Sequence, residues 1–411
     1  MKVLMVVPAF PKLSETFIVS KFLGLLEKDL DVHIFCGTSD SAEWANFPSL
    51  LAYPEIRKRV HVSLPTKPPI VPVILFVPAL ISCLLLRPFE TIQYLIRGFR
   101  EQRRNVFRQF YLDRALLIVK PNILHFEFGA LAVGSEYLRN RLNYHLIASF
   151  RGHDICYAGI DTSDFYKMLW ENVDAVHFLG NALKKRAMRR GFPESIHHVI
   201  IPPAIDIKRF NPPRKLIDHV KREKIKILSV GRLHWEKGYE YALQALHELL
   251  MQGDQFEYHI VGGGDALVSL AFCSHELKIN EFVTFLGSIP PEKVLEELKW
   301  ADIYLHPAVE EGFGNAVIEA QAMQLPIVCS DAMGLPENVE DGVTGFVVPV
   351  RDPGALAQKV TLLARNPELR ERMGKAGRDR VSKYFRIEDQ ISSWQNFYKK
   401  IDQSFSQGSD L

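Results

Sequence analysis

Two successive α/β domains, each a parallel sheet covered by helices on both faces, are predicted for this chain. Three observations predict them. Its 411 residues exceed what one hydrophobic core holds, since single cores rarely grow past about 250–300 residues. Short apolar runs alternate with helical stretches, the pattern of buried parallel strands joined by crossover helices. Midway a proline-rich stretch interrupts the series, which then restarts.

The first half predicts strands near 2–7, 31–36, 122–127, 146–150, 174–179 and 198–202. A helix over 15–29 is expected to begin at Ser14, a good N-cap residue, with Glu15 in its first turn. Pro202-Pro203 and Asn211-Pro212-Pro213, followed by the charged run Lys221 to Lys224, place a linker at about 203–224. Strands resume near 225–230, 257–261, 283–286, 303–306, 326–329 and 346–348. The domains are therefore assigned as 1–203 and 204–385, with a helix and tail over 386–411. Trp394, Phe397, Tyr398 and Ile401 share one apolar helix face, which is expected to return to the N-terminal domain. The tail after Ser404 is expected to be disordered. Two such domains with a hinge imply a cleft, and ligands bind beyond the carboxyl ends of the strands.

Composition narrows the function. A net charge of +2 argues against broad binding to nucleic acid, which needs a concentrated basic surface. Cys36, Cys83, Cys156, Cys273 and Cys329 form no C-x-x-C pair and no Cys/His cluster, so no metal site is expected. Scattered cysteines fit a reducing cytoplasm. The N-terminus runs straight into Val3–Val7, which reads as a buried strand and not as a signal peptide.

Three motifs carry chemistry. In Glu311-Gly312-Phe313-Gly314-Asn315-Ala316-Val317-Ile318-Glu319, a glycine-rich loop leads backbone N–H groups into a helix N-terminus. Its two carboxylates suit vicinal hydroxyls, as on a ribose or hexose. The plainer reading makes Glu311 a cap and Glu319 a surface residue. Gly231-Arg232-Leu233-His234-Trp235-Glu236-Lys237-Gly238 follows the first strand of the second domain. Gly231 permits a tight turn, and Arg232 with Lys237 offers a diphosphate site without a metal; two exposed basic residues are the plainer alternative. Val261-Gly262-Gly263-Gly264-Asp265 closes another strand, a pattern that many α/β loops share.

Residues 70–108 stand apart. Ile70–Leu86 is almost wholly apolar, just long enough to span a bilayer, but Pro72 and Pro78 count against a straight spanning helix. Arg97, Arg100, Arg104 and Arg108 follow at helical spacing, which puts them on one helix face. One reading is a buried helix beside a solvated one. The other is an interfacial element that meets an anionic membrane surface.

The three motifs, in this order and each at a strand's carboxyl end, resemble those of the family 4 retaining glycosyltransferases, which have the GT-B fold of two Rossmann-like domains. The likeness covers nearly the whole chain. Phe10–Ile18, His125-Phe126-Glu127-Phe128-Gly129 and Ser149-Phe150-Arg151-Gly152-His153-Asp154-Ile155 are similar to loops of a branch that builds bacterial exopolysaccharide, such as colanic-acid-type transferases. Gly334-Leu335-Pro336-Glu337 and Asp341-Gly342-Val343-Thr344-Gly345 match the family's C-terminal pattern.

This resemblance implies a UDP- or GDP-sugar donor as co-substrate with no other cofactor, and a glycan or lipid-linked acceptor. It implies a cytoplasmic enzyme, peripheral on the inner face of the membrane. Arg232 and Lys237 would hold and stabilise the departing diphosphate. Glu319 would hold the ribose, and Glu311 the transferred sugar. Gly231, Gly312, Phe313, Gly314 and Asn315 would line the donor, and Ser14 and Glu15 of the first loop the substrate. Many relatives place a histidine against the donor sugar; Arg151 stands at that position here, and His153 follows two residues on. Pro203-Ala204-Ile205-Asp206 also departs from the family's usual Asn-Gly before Ile-Asp. Asp29-Leu30-Asp31, an Asp-x-Asp pattern, sits at a helix-to-strand turn and reads as chance. Two other readings share the fold: a sugar-nucleotide epimerase, which would need acid and base groups at C2 of the sugar, and a catalytically silent scaffold. A nicotinamide oxidoreductase lacks its fingerprint after the first strand.

Overall fold

The computed structural model describes residues 1–68, 70–101, 106–212 and 224–408. Residues 213–223 of the expected linker, and Arg104, lie outside them. The chain forms two compact units. The first comprises Met1–Phe178, Lys184–Ile201 and the chain from Ile391 onward; the second comprises Leu179–Leu183 and Pro202–Gln390.

The first unit holds β1 (Lys2–Ala9), β2 (Asp31–Thr38), β3 (Val60–Val62), β4 (Ile123–Phe126), β5 (His145–Phe150), β6 (Ala175–Phe178) and β7 (His197–Ile200), in the order β3-β2-β1-β4-β5-β6-β7. The second holds β8 (Ile225–Val230), β9 (Phe256–Val261), β10 (Val283–Gly287), β11 (Ile303–His306), β12 (Ile327–Ser330) and β13 (Gly345–Val348), in the order β10-β9-β8-β11-β12-β13. Every strand pair is parallel. Central strands β4, β5, β6, β11 and β12 are buried along their whole length, as a parallel sheet covered on both faces requires. In each unit the crossovers first run to one side of the sheet and then restart on the other. The reversal lies between β1 and β4 in the first unit, and between β8 and β11 in the second.

Each strand read from apolar runs is present, with ends displaced by no more than two residues. Only β3 escaped that reading, because three half-exposed residues make no apolar run. The helix after β1 does not start at Ser14. Leu13–Glu15 winds as a 3-10 turn and Glu15 precedes the α-helix Thr16–Glu27, with no side-chain cap. The C-terminal helix runs from Ile387 to Gly408, past the point where disorder was expected. Once its first turns are packed, each further residue adds a hydrogen bond at little cost.

That helix does return to the first unit. Trp394, Phe397, Tyr398 and Ile401 are all buried there. Trp394 lies 4.4 Å from the His177 ring and 5.2 Å from the His125 ring, across the faces of β6 and β4. Gly24 makes room for Ile391, whose Cγ1 would sit 2.7 Å from a Cβ at that position.

Ile70–Leu86 is a single helix with Pro78 inside it, and the buried-core reading fails. Only Ala79 and Cys83, one turn apart, are buried. The arginine stripe is not one helix face either. Pro88–Arg100 ends after Arg97 and Arg100, and Arg108 belongs to a new helix, Val106–Val119. Among the described residues no helix is long and apolar enough to cross a membrane.

Removing the indole that closes the first unit tests this packing. Trp394→Ala is expected to destabilise that unit by about 3–5 kcal/mol, read as a lower urea midpoint. An unchanged midpoint would show that the C-terminal helix contributes nothing to its stability.

Candidate functional site

The site in the second unit grows from the crossover reversal. Loops after β8 and β11 leave adjacent strands at the same end of the sheet, and a crevice forms where they diverge. Backbone bonds tie them together. Glu236 O accepts from Val309 N at 2.8 Å and from Glu310 N at 3.2 Å. Gly238, at φ +61°, is packed so closely that a Cβ would lie 2.3 Å from Pro307 O. The loop after β9 joins them: Gly231 N donates to Val261 O and Leu233 N to Gly263 O, both at 2.9 Å. Gly262, at φ +142°, has room only for hydrogen, since a Cβ would meet Gly231 O at 1.9 Å.

This scaffold brings Lys237 and Glu311 together. Lys237 Nζ lies 2.7 Å from Glu311 Oε2, and His306 Nε2 lies 3.0 Å from the same oxygen. Both partner side chains of the ion pair are largely buried, at 14% and 15% exposure. Burial by itself would raise the Glu311 carboxyl, but Lys237 and His306 outweigh it and hold that group well below the carboxylate range. Glu311 is therefore ionised at any working pH.

Arg232 is not part of this pair. It is mostly exposed and reaches back to Glu236 at 2.8 Å, one helical turn along its own loop. Gly314, at φ +89°, precedes the helix Asn315–Ala322, whose first N–H groups have no acceptor within the helix. Gly312 is half-buried and Asn315 exposed, whereas the Phe313 ring is core, 5.6 Å from Phe385. Asn338 fixes the loop by donating through Nδ2 to Phe313 O and Gly314 O, both at 3.0 Å. It is itself held by Gln321.

Among the described residues no cation is bonded to Glu319, in contrast to Glu311. Burial pushes its carboxyl up to about 7, with Arg209 acting weakly against the shift. Two carboxylates eight positions apart thus carry opposite electrostatics.

The remaining predicted residues lie in the first unit. Arg151 follows β5; its guanidinium is 4.2 Å from the Phe17 ring and bonds Glu127. His153 opens the short helix His153–Cys156, exposed and beside Tyr157. Ser14 is exposed, and Glu15 pairs with Lys12. Asp29 and Asp31 do occupy the turn into β2, where Asp31 bonds Arg59. Sequence reasoning missed His306, Asn338 and Lys21, and gave Glu127 no role although it lies in the quoted motif His125–Gly129. His306 had one signal, its place as the last residue of a strand that ends at the site. Among the described residues no group of three metal-ligating side chains occurs.

Residues 215–380 match the family described as glycosyl transferases group 1. The D-inositol 3-phosphate glycosyltransferase of Corynebacterium jeikeium is 32% identical over 45% of this chain, and the match spans 48% of that protein, about half its length. The putative colanic acid biosynthesis glycosyltransferase WcaL of Escherichia coli is 26% identical over 66% of this chain and 68% of its own length. Among solved structures, Anabaena HepE in complex with UDP and glucose superposes with a TM-score of 0.72, at 15% identity, over 97% of this chain and all of that one. The fold is accordingly GT-B.

The raised Glu319 carboxyl has a measurable consequence. A carboxyl whose folded pKa is about 7 against an ordinary 4.5 binds its proton more tightly folded than unfolded. Its contribution to stability is full below 4.5 and is lost as pH rises through 7. Glu319→Gln, which cannot ionise, is expected to gain stability relative to wild type as pH rises across that window, in paired thermal melts. A difference independent of pH would place the Glu319 carboxyl in an ordinary environment.

Proposed function

We propose that this glycosyltransferase moves a hexose from a UDP- or GDP-sugar to a glycan or lipid-linked acceptor in cell-surface polysaccharide synthesis. The observation that carries the reading is the Lys237–Glu311–His306 cluster at the crossover reversal, flanked by Arg232 and by the helix N-terminus at Gly314. The likeness to a colanic acid transferase supports the choice of acceptor class.

In this reading the diphosphate takes over Lys237 and Arg232, whose charges meet the negative charge that develops on it. No divalent ion is needed for that task. Glu319 accepts the ribose hydroxyls, a role that favours its ionised form. Glu311, already ionised, faces the transferred sugar, and the N–H groups at Phe313, Gly314 and Asn315 assist. The bond from the anomeric carbon to the diphosphate oxygen breaks. An acceptor oxygen bonds that carbon on the same face, and its proton leaves with the diphosphate. The configuration is retained. Arg151 occupies the place of the family's sugar-contacting histidine.

The acceptor side of the proposal is a membrane. Val73, Ile74, Val77, Ile81 and Leu85 of one helix are exposed, as are Phe89, Ile92, Ile96 and Phe99 of the next. Exposed apolar area on this scale marks an interaction surface. Arg100 and Arg108 are exposed beside it, whereas Arg97 is engaged by the carbonyls of Asn140 and Arg141. The surface therefore combines apolar insertion, which salt does not weaken, with a cationic fringe worth about 1 kcal/mol per arginine near an anionic bilayer. The enzyme then sits on the cytoplasmic face.

Calorimetry tests the donor reading. UDP or GDP is expected to bind in the presence of EDTA. Glu311→Ala should keep that affinity and lose transfer, while Glu319→Ala loses affinity. Loss of binding with EDTA, or equal affinity losses in the two variants, would refute the assignment.

Vesicle sedimentation tests the membrane reading. Anionic vesicles are expected to retain the protein at low salt and part of it at high salt. Val77→Asp should abolish retention, and Arg100→Glu should weaken it only at low salt. Failure of both anionic and neutral vesicles to retain the wild type would point to a soluble acceptor.

A further inference from the structure

A second set of buried charges lies in the first unit, at the carboxyl ends of β4 and β5. Glu127 is fully buried, a position where an unpaired carboxylate costs several kcal/mol. It is shared by two cations. Lys21 Nζ donates to Oε1 at 2.6 Å, and Arg151 Nη2 donates to Oε2 at 2.5 Å. Arg151 Nε also donates to the Glu127 carbonyl at 2.9 Å. The guanidinium is thus held by two bonds to one residue and laid 4.2 Å from the Phe17 ring.

The backbone of Arg151 is fixed as firmly. Asp154 Oδ1 accepts from the N–H groups of Arg151, Gly152 and Ile155, and its Oδ2 from that of Gly129. Lys21 is anchored from behind by the C-terminal helix. Its ammonium lies 3.2 Å from the Trp394 ring centre, and Tyr398 OH bonds the neighbouring His125 at 2.6 Å. Burial, with Arg151 adding, pulls the Lys21 ammonium down to about 7 against the opposing attraction of Glu127. Every member of the chain Trp394–Lys21–Glu127 is sealed from water, and only Arg151 is partly exposed, at 14%. A stabilising ion pair needs one cation. A second one, forked and fixed in backbone and side chain at the open end, is the arrangement of a preorganised binding group.

We infer that Glu127 is the positioning residue for Arg151, and that the C-terminal helix, through Trp394 on Lys21, holds Glu127 in place. The inference rests on the glycosyltransferase reading, in which Arg151 meets the substrate.

A mutant cycle on the full chain tests it, using the UDP- or GDP-hexose that supports wild-type turnover. Arg151→Ala and Glu127→Gln are each expected to lower kcat/KM about 10–100-fold, with affinity for UDP or GDP unchanged. Glu127→Asp should recover part of the loss. In an Arg151→Ala background, Glu127→Gln should cost less than about twofold more, because coupled residues are not additive. Full additivity, or unchanged kinetics in Glu127→Gln, would overturn the inference. A Glu127→Gln chain that does not fold is replaced in the same cycle by Glu127→Asp. A readout without turnover separates this inference from the reading beneath it. In proton–nitrogen spectra the Arg151 Nη2–H, which donates to the Glu127 carboxylate and is assigned through Arg151→Lys, is expected to exchange slowly in wild type and fast in Glu127→Gln. Slow exchange in both would overturn the inference even if no hexose is turned over.

Discussion

A parallel strand reaches its neighbour only by a crossover, and in each unit of this chain the crossovers reverse direction once. The chemistry depends on that reversal. Two loops leave adjacent strands and diverge, so side chains far apart in sequence meet there. Lys237 follows β8 and Glu311 follows β11, yet they form an ion pair at 2.7 Å. Glycines at 238 and 262 allow the loops to approach at backbone distance, where any Cβ would collide. The loops are thereby bonded to one another through their backbones, which suits a site that must be organised before substrate arrives.

Burial then differentiates chemically identical groups. Glu311 and Glu319 both lie where burial raises a carboxyl. A lysine and a histidine reverse that for Glu311, whereas for Glu319 burial outweighs the opposing charge of Arg209. One carboxylate is fixed as an anion, and the other stands near the point of gaining a proton. Glu127 in the first unit repeats the first solution with two cations and no solvent. Removing one partner of such a cluster leaves a buried charge uncompensated, which costs far more than the pair itself contributes. These clusters consequently constrain the substitutions that each unit tolerates.

The helices Ile70–Leu86 and Pro88–Arg100 follow a different logic. Their apolar side chains are neither core nor evenly scattered, and the buried stripe is only as wide as Ala79 and Cys83 on the first and Thr91, Tyr94 and Gly98 on the second. Tyr94 and Tyr137 both donate to Asp113, and Arg141 bonds Tyr94, so a buried polar knot holds the second helix down while its outer face stays apolar. Packing to the rest of the unit is thereby separated from whatever the outer face meets.

Local order was written in the sequence. Apolar runs located all strands but β3, because burial on both faces demands continuous hydrophobicity and three half-exposed residues do not supply it. Glycines and charges in the loops after β8 and β11 marked the site, since only certain residue types fit a tight turn beside an anion. The face of Trp394, Phe397, Tyr398 and Ile401 announced a helix in need of a partner. What the sequence left open was decided by contacts between distant residues. Whether Ile70–Leu86 was core depended on what packed against it, and the answer was two residues of seventeen. Ser14 lost its capping place to a 3-10 turn. Arg232 turned to Glu236 and left Lys237 alone on Glu311. His125 and Glu127 stood in a loop motif that assigned them no partners, and Lys21 looked like an ordinary helix residue. Their roles come from side chains as far along the chain as Trp394 is from Lys21, and pairing at that distance leaves no periodic trace in the chain.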